Sequence, residues 1–311
     1  MHFLVTGGAG FIGSHLVERL LAEGHQVTIF DDFNHYYDPE IKEANISGFA
    51  HRINTVRGDI RDKILVERTF TEGQFDVVVH LAARAGVRPS IDDPRLYFTT
   101  NIDGTFNLLD ACRYHKIKDF IFASSSSVYG VNKKVPFSES DVLERTISPY
   151  AATKLSGEQI CSNYSHLFGI RCMCLRFFTV YGPRQRPDLA ISKFTKRILA
   201  GEAIDRYGDG STARDYTYID DIVEGVIGAI NYRESDFEIF NLGGSATTKL
   251  SQMIEIIEEE TGKKAQINQM PDQPGDVPRT YADVSKSERC LGYQVKTPLR
   301  EGIRKYIAWL R

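Results

Sequence analysis

The sequence predicts an α/β fold: a doubly wound parallel sheet with a smaller α/β region interleaved behind it. Three observations carry that prediction. A short apolar run, a glycine-rich turn and a helical repeat follow one another at the amino end. Strand-like and helical stretches then alternate to about residue 178. After Gly182 the strict alternation breaks down, yet Phe237 to Asn241 reads as a strand returning to the first sheet. Strands that alternate with helices build parallel sheets, because each crossover between parallel neighbours takes a helix.

His2-Phe-Leu-Val-Thr6 is the first strand, and Gly7-Gly-Ala-Gly10-Phe11-Ile12-Gly13 is the turn. Ser14 to Ala22 has helical spacing, with Leu16, Leu20 and Leu21 on one side. Glycines allow the tight turn and a close backbone approach, and the helix N-terminus then faces a pyrophosphate. Gln26 to Phe30 is the second strand, ending at Asp31, 18 residues after Gly13. A carboxylate there accepts from an adenosine ribose and repels a 2′-phosphate, which points to NAD rather than NADP. The first half therefore reads as a Rossmann-type dinucleotide-binding domain. Arg52 to Val56 precedes Gly58-Asp59-Ile60, where the acid is placed to meet the adenine amino group. Phe75 to His80 is a buried-type strand ending at Leu81-Ala82-Ala83, where small side chains let the backbone approach a cofactor. Thr99-Thr-Asn101 opens a helix through about Arg113, and Asp119 to Ala123 delivers Ser124 to Ser127 at a strand's carboxyl end. Ligands bind at that edge of a parallel sheet. Ser148-Pro149 is a helix start, since Ser caps free N–H groups and Pro suits the first turn. The helix from Tyr150 to about Phe168 leads into the strand Arg171 to Phe178.

Composition narrows the function. The 311 residues are 42% apolar and 25% charged with a net charge of −3, so there is no basic footprint for nucleic acid. No stretch approaches the ~18 apolar residues of a membrane span. The first strand begins at about His2, leaving no room for a targeting segment, and a cytoplasmic protein is expected. Five cysteines, Cys112, Cys161, Cys172, Cys174 and Cys290, lack metal-ligand spacing and read as free thiols, with no metal site.

Tyr150 and Lys154 are four apart and share one helix face. A phenol near pKa ~10 is a poor base at neutral pH. An ammonium one turn away, together with a cationic nicotinamide ring, favours phenolate and makes Tyr150 a usable acid/base.

Taken together, TGGAGFIG, Asp31, the HLAA of 80–83, SSSSVYG at 124–130 and YxxxK at 150–154 resemble an extended short-chain dehydrogenase/reductase, and more narrowly a nucleotide-sugar epimerase. RFFTVYGPRQRPD at 176–188, GDGSTARDYTYIDD at 208–221 and QPGDVPRTYAD at 273–283 extend the resemblance over nearly the whole chain. It implies Tyr150 as acid/base, Lys154 on the nicotinamide ribose and Ser125 bonded to the reacting hydroxyl. It implies cofactor contacts from Gly7, Gly10, Phe11, Ile12, Gly13, Asp31, Asn34, Asp59, Ile60, Leu81, Ala82, Ala83, Asn101 and Phe177. The chemistry implied is oxidation at C4 of the sugar by NAD, rotation of the 4-keto sugar, and return of hydride to its other face. Relatives that dehydrate carry Asp-Glu directly after the Ser or Thr, and those that decarboxylate carry a Glu two residues after it. Here Ser126 and Ser127 stand at those places, and a hydroxyl cannot replace a carboxylate as base near neutral pH. Epimerisation is what remains.

Thr179 and the stretch Ala85 to Pro89 are similar to UDP-glucuronate 4-epimerases, although Arg84 stands where those enzymes usually carry Gln. Ser126, Ser127 and Thr179 supply hydroxyls for a C6 carboxylate, and Arg88 is a candidate for its charge. A UDP-glucose/UDP-galactose 4-epimerase is the alternative, and a non-catalytic NAD-binding sensor a remote one. The resemblance places Arg214 and Arg279 on the diphosphate, with Arg186 assisting, and Asp276 on the uridine ribose. It divides the chain into an NAD-binding domain, 1–178 with a returning strand near 237–241, and a UDP-sugar-binding domain, 179–311. A homodimer through the helices Thr99 to Arg113 and Tyr150 to Phe168 is expected. The helix from Leu250 to about Thr261 presents Glu255, Glu258, Glu259 and Glu260 to solvent, and an amphipathic tail from Leu299 packs on the second half.

Overall fold

A computed structural model of the chain describes residues 1–271 and 277–311. Its strands are β1 (His2–Thr6), β2 (Gln26–Asp31), β3 (Asn54–Arg57), β4 (Val77–His80), β5 (Asp119–Ser125) and β6 (Arg171–Phe177). The short strands β7 (Thr179–Tyr181), β8 (Ala203–Tyr207), β9 (Ala213–Arg214) and β10 (Tyr216–Tyr218) follow. After them come β11 (Phe237–Leu242), β12 (Thr248–Lys249) and β13 (Gln266–Met270). The main sheet has seven strands in the order β11-β6-β5-β4-β1-β2-β3, and every pairing within it is parallel. β11 does return, aligning Phe237 with Cys172 and Leu242 with Phe177. The strand order reverses beside β1, so a crevice opens outside the carboxyl ends of β1 and β4.

The sheet is covered on both faces, which is why its strands read as unbroken apolar runs. Side chains alternate between two clusters: Phe3, Val5, Ile121, Met173 and Leu175 lie on one face. Leu4, Phe120, Phe122, Cys172 and Cys174 lie on the other. The cysteines are all free thiols, and four of the five are buried.

Helix boundaries follow local chemistry. Ser148 accepts from the Ala151 N–H at 3.1 Å and Pro149 takes the first turn of the helix Pro149–Phe168, which Gly169 ends in the left-handed region. The helix expected from Thr99 begins earlier: Asp93 caps Pro94–Phe98, and Thr99–Asp103 is a wide π turn before Gly104–Tyr114. Such widened turns are frequent at functional sites. In the second half β7 pairs with β10, β9 with β12 and β8 with β13. The tail helix Leu299–Leu310 buries Ile303, Tyr306 and Ile307. The expectation of a wholly solvated acidic face on Leu250–Thr261 needs amending at two places. Glu258 is held by Lys264 at 2.7 Å and the Ala265 N–H at 2.8 Å. Glu260 is bound by Arg304 at 2.9 Å and Arg300 at 3.2 Å, which ties the tail helix down.

Candidate active site

The glycine turn is dictated by space. Gly7 has φ +70°, and a Cβ there would lie 2.8 Å from the Ala82 nitrogen. A Cβ on Gly13 would lie 2.2 Å from the Gly7 carbonyl oxygen. The helix Phe11–Ala22 therefore starts hard against the turn, with Gly10 as an N-cap that offers no side chain to its free N–H groups. Ala82 is held in place by its N–H donating to Thr6 Oγ1 at 3.2 Å. Thr6 in turn meets His80 Nδ1 at 2.7 Å, and His80 Nε2 meets Thr105 at 2.9 Å. Burial drops this imidazole to about 3, so His80 is a neutral brace under the turn.

A cavity of about 490 Å³ runs along this crevice. Gly7, Gly10, Phe11, Ile12, Gly13, Asp31, Asn34, Asp59, Ile60, Leu81, Ala82, Ala83 and Phe177 line it, as do Ser125, Tyr150 and Lys154. Asn101 does not. Its amide bonds both main-chain groups of Arg84 and reaches Thr153 at 2.9 Å, bracing the loop after β4 against the helix that carries Tyr150. Asp31 is buried and already engaged: Lys42 donates to it at 2.7 Å, and the N–H groups of Phe33 and Ala9 at 3.0 and 3.2 Å. Asp59 is paired with Arg61. Thr100 is among the lining residues, and its Oγ1 is buried without a partner.

Ser125 ends β5 with its hydroxyl accepting from the Ser127 N–H at 3.2 Å and donating to Ser127 Oγ at 3.0 Å. Burial raises the Tyr150 phenol above its ordinary value, while a hydrogen bond to Ser125 and the Arg186 guanidinium draw it back. Lys154 is anchored on β5. Its ammonium donates to the Ala123 carbonyl at 2.7 Å and lies 6.0 Å from the Tyr150 ring centre. Burial lowers Lys154 itself to about 8. For the phenol, desolvation outweighs the pull of Ser125 and Arg186 in the protein alone.

A second recess of about 170 Å³ adjoins the first, sharing Val87, Ser126, Ser127 and Thr179 as a common wall. Arg88 and Arg214 line it, and Arg88 also sits 5.3 Å from the Tyr207 ring centre. Arg186 lines the larger cavity instead, bonded to Asp188 and stacked over Tyr36 at 5.2 Å. Arg279 lines neither; it is exposed and donates to Thr247 at 3.3 Å. Asp276 lies outside the described residues. Among the described residues, no carboxylate lines the second recess.

Four contributors escaped the sequence reading. Tyr36 and Tyr97 both donate to the Ala85 carbonyl, at 3.1 and 3.0 Å, and Tyr97 packs edge-on against Tyr150 at 6.2 Å. Lys42 neutralises Asp31 from the helix Pro39–Ile46. Arg84 reaches Asn34 at 3.1 Å. The visible signals were two aromatic runs, Tyr36-Tyr37 and Tyr97-Phe98, which point to the two tyrosines and to neither Lys42 nor Arg84.

A parallel sheet with a glycine turn at its reversal point, and Ser, Tyr and Lys side chains converging on one cavity, define the short-chain dehydrogenase/reductase class. A family model described as GDP-mannose 4,6 dehydratase matches residues 4–306, and the chain belongs to that family. UDP-glucuronate 4-epimerase 4 of Arabidopsis thaliana is 42% identical over 325 residues, covering 98% of this chain and 74% of the plant protein. The crystal structure of UDP-glucuronic acid 4-epimerase from Bacillus cereus, in complex with UDP-glucuronic acid and NAD, matches with a TM-score of 0.93. The two are 39% identical, and the match covers 100% of this chain and 99% of that one. UDP-glucose 4-epimerase from Thermotoga maritima, solved with UDP-glucose, matches with a TM-score of 0.93 at 34% identity and the same coverage.

Proposed function

We propose that this chain is an NAD-dependent 4-epimerase that interconverts UDP-glucuronate and UDP-galacturonate. One observation carries the reading. Tyr150 and Ser125 face a cavity whose adjoining recess is walled by Ser126, Ser127 and Thr179 and, among the described residues, by no carboxylate. The residues fit the dinucleotide: a Cβ at Gly7 or Gly13 would fill the cradle, and Thr100, one of the lining residues, keeps an unpartnered buried hydroxyl. NAD, when bound, supplies the hydride acceptor and returns the hydride.

The chain's own residues do the rest. Tyr150 takes the proton of the C4 hydroxyl and later gives it back, with Ser125 holding that oxygen. Lys154, held by Ala123, keeps a positive charge behind the phenol at neutral pH. Ser126, Ser127 and Thr179 hold the C6 carboxylate by hydroxyl donors. A 4-keto glucuronate is a β-keto acid that loses CO2 when its carboxylate bond aligns with the carbonyl π system, and this grip restrains that orientation. With hydroxyls at both places after Ser125, neither position offers a base to remove the C5 proton. The chain thus keeps the family's scaffold and not the elimination in the family's name.

Residues 1–178 and the returning strand hold the dinucleotide, and 179–311 hold the UDP-sugar, with Arg214 at its nucleotide end. The exposed Phe106, Tyr114 and Leu167, on the helices Gly104–Tyr114 and Pro149–Phe168, support a homodimer through those helices. Free cysteines support a reducing, cytoplasmic setting. No helix among the described residues is long and apolar enough to cross a membrane. Incubation with UDP-glucuronate and, separately, UDP-glucose, followed by NMR of the products, tests the reading. UDP-galacturonate is the expected product. A 4-keto-6-deoxy sugar or a pentose as main product overturns it, and turnover of UDP-glucose alone favours the neutral-sugar enzyme.

A further inference from the structure

Asp215, between β9 and β10, is completely buried. One of its carboxylate oxygens accepts from the Gly244 N–H and the other from the Ala282 N–H at 3.0 Å. Its main chain is used as fully. The Asp215 N–H donates to Thr280 Oγ1 at 3.1 Å, and its carbonyl accepts from the Thr179 N–H at 3.0 Å. Three segments distant in sequence, at Thr179, Gly244 and Thr280 to Ala282, thus meet on one residue. The two glycines after β11 are there for lack of room: a Cβ on Gly244 would lie 2.5 Å from the Tyr216 carbonyl and 2.9 Å from Asp215 Oδ1. Thr179, Arg214 and Thr280 all line the second recess, and each is bonded to Asp215 or adjoins it in the chain.

We propose that Asp215 is a positioning residue for the sugar nucleotide, clasping the nucleotide side of the recess (Arg214, Thr280) and its sugar side (Thr179) in one arrangement. The proposal rests on the epimerase reading. Only a carboxylate accepts at both ends. An asparagine of the same size must turn its NH2 toward one of the two main-chain N–H donors, leaving that segment unheld. Burial lifts the Asp215 carboxyl to about 6 while the N–H groups of Ala282 and Gly244 draw it back, so it is the carboxylate that acts at neutral pH. Asp215 lines neither cavity. Its effect therefore falls on how well the wall fits the ligand, and the glycine turn on the far side of the crevice is untouched.

The test compares holoenzyme with Asp215→Asn at pH 7.5: kcat and KM for UDP-glucuronate, calorimetric affinity for UDP-glucuronate and UDP-glucose, and NAD content after denaturation. The expected result is a rise in KM and Kd of about tenfold, the size of one lost hydrogen bond to a charged group, with a smaller fall in kcat and NAD retained. Unchanged KM and Kd overturn the proposal, as does a parallel loss of kcat and NAD that marks general loosening. Gly244→Ala presses a Cβ on the same oxygen while keeping the carboxylate. It should give the same split, and it decides the matter if Asp215→Asn does not fold. A wild-type chain that binds neither sugar nucleotide sinks the epimerase reading and this proposal together. Normal turnover with an indifferent Asp215→Asn sinks this proposal alone.

Discussion

Replacing Lys154 by methionine removes a charge that the fold holds largely out of water. Lys154 is 4% exposed, and burial takes its ammonium from 10.5 to about 8. At about 1.4 kcal/mol for each tenfold change, the buried charge costs about 3 kcal/mol at pH 7. Methionine fills similar volume but gives up the hydrogen bond to the Ala123 carbonyl, worth about 1 kcal/mol. The cofactor-free variant should therefore be more stable than wild type by about 2 kcal/mol at pH 7, a rise of roughly 4 °C in Tm, while losing turnover. The sign of the pH dependence is fixed. The folded pKa lies below the unfolded one, so between pH 8 and 10.5 the unfolded wild type holds a proton that the folded one has released. Wild-type stability gains on the variant through that window, and the gap closes. Thermal unfolding of both proteins from pH 7 to 10.5 measures it. A variant less stable at pH 7, or a gap flat across the window, refutes the reasoning.

Tyr150→Phe should cut turnover by about 10²–10⁴-fold, the range for losing a general acid/base, with bound NAD retained; unchanged kcat removes Tyr150 from the chemistry. Gly13→Ala drives a Cβ to 2.2 Å from the Gly7 carbonyl, so the purified variant should lose NAD and several degrees of Tm. Full cofactor occupancy would show that the turn does not cradle it. Thr179→Asn removes a hydroxyl from the wall shared by both cavities and should lower kcat/KM for UDP-glucuronate relative to UDP-glucose by about tenfold. An unaltered ratio clears Thr179 of any part in sugar choice.

Much of this site is legible along the chain because its chemistry comes in short contiguous strings. The glycine turn, Asp31, the Ser148-Pro149 cap and the Tyr150–Lys154 pair are each set by local geometry. The returning strand is legible too, since an apolar run beyond a loop-rich region has to find a sheet. Contacts across folded distance are not. Nothing near Lys42 in sequence announces that it will neutralise Asp31, and no periodicity tells Asn101 to brace a loop 17 residues away rather than face a ligand. Lys154 is a related case: helical spacing puts it beside Tyr150, and only the packed core reveals that burial lowers its own pKa. Arg279 was carried over from a motif, and it lines neither cavity.

The sheet's outermost pairing has a consequence for synthesis. β6 runs from Arg171 to Phe177 with every residue buried, but its outer neighbour begins only at Phe237. While a ribosome makes the 59 residues between them, the nascent chain carries an apolar strand with one naked edge, the kind of surface on which other strands add. Stalled or clipped products ending before residue 237 should be the aggregating species in a cell, and chaperones the first proteins to bind them.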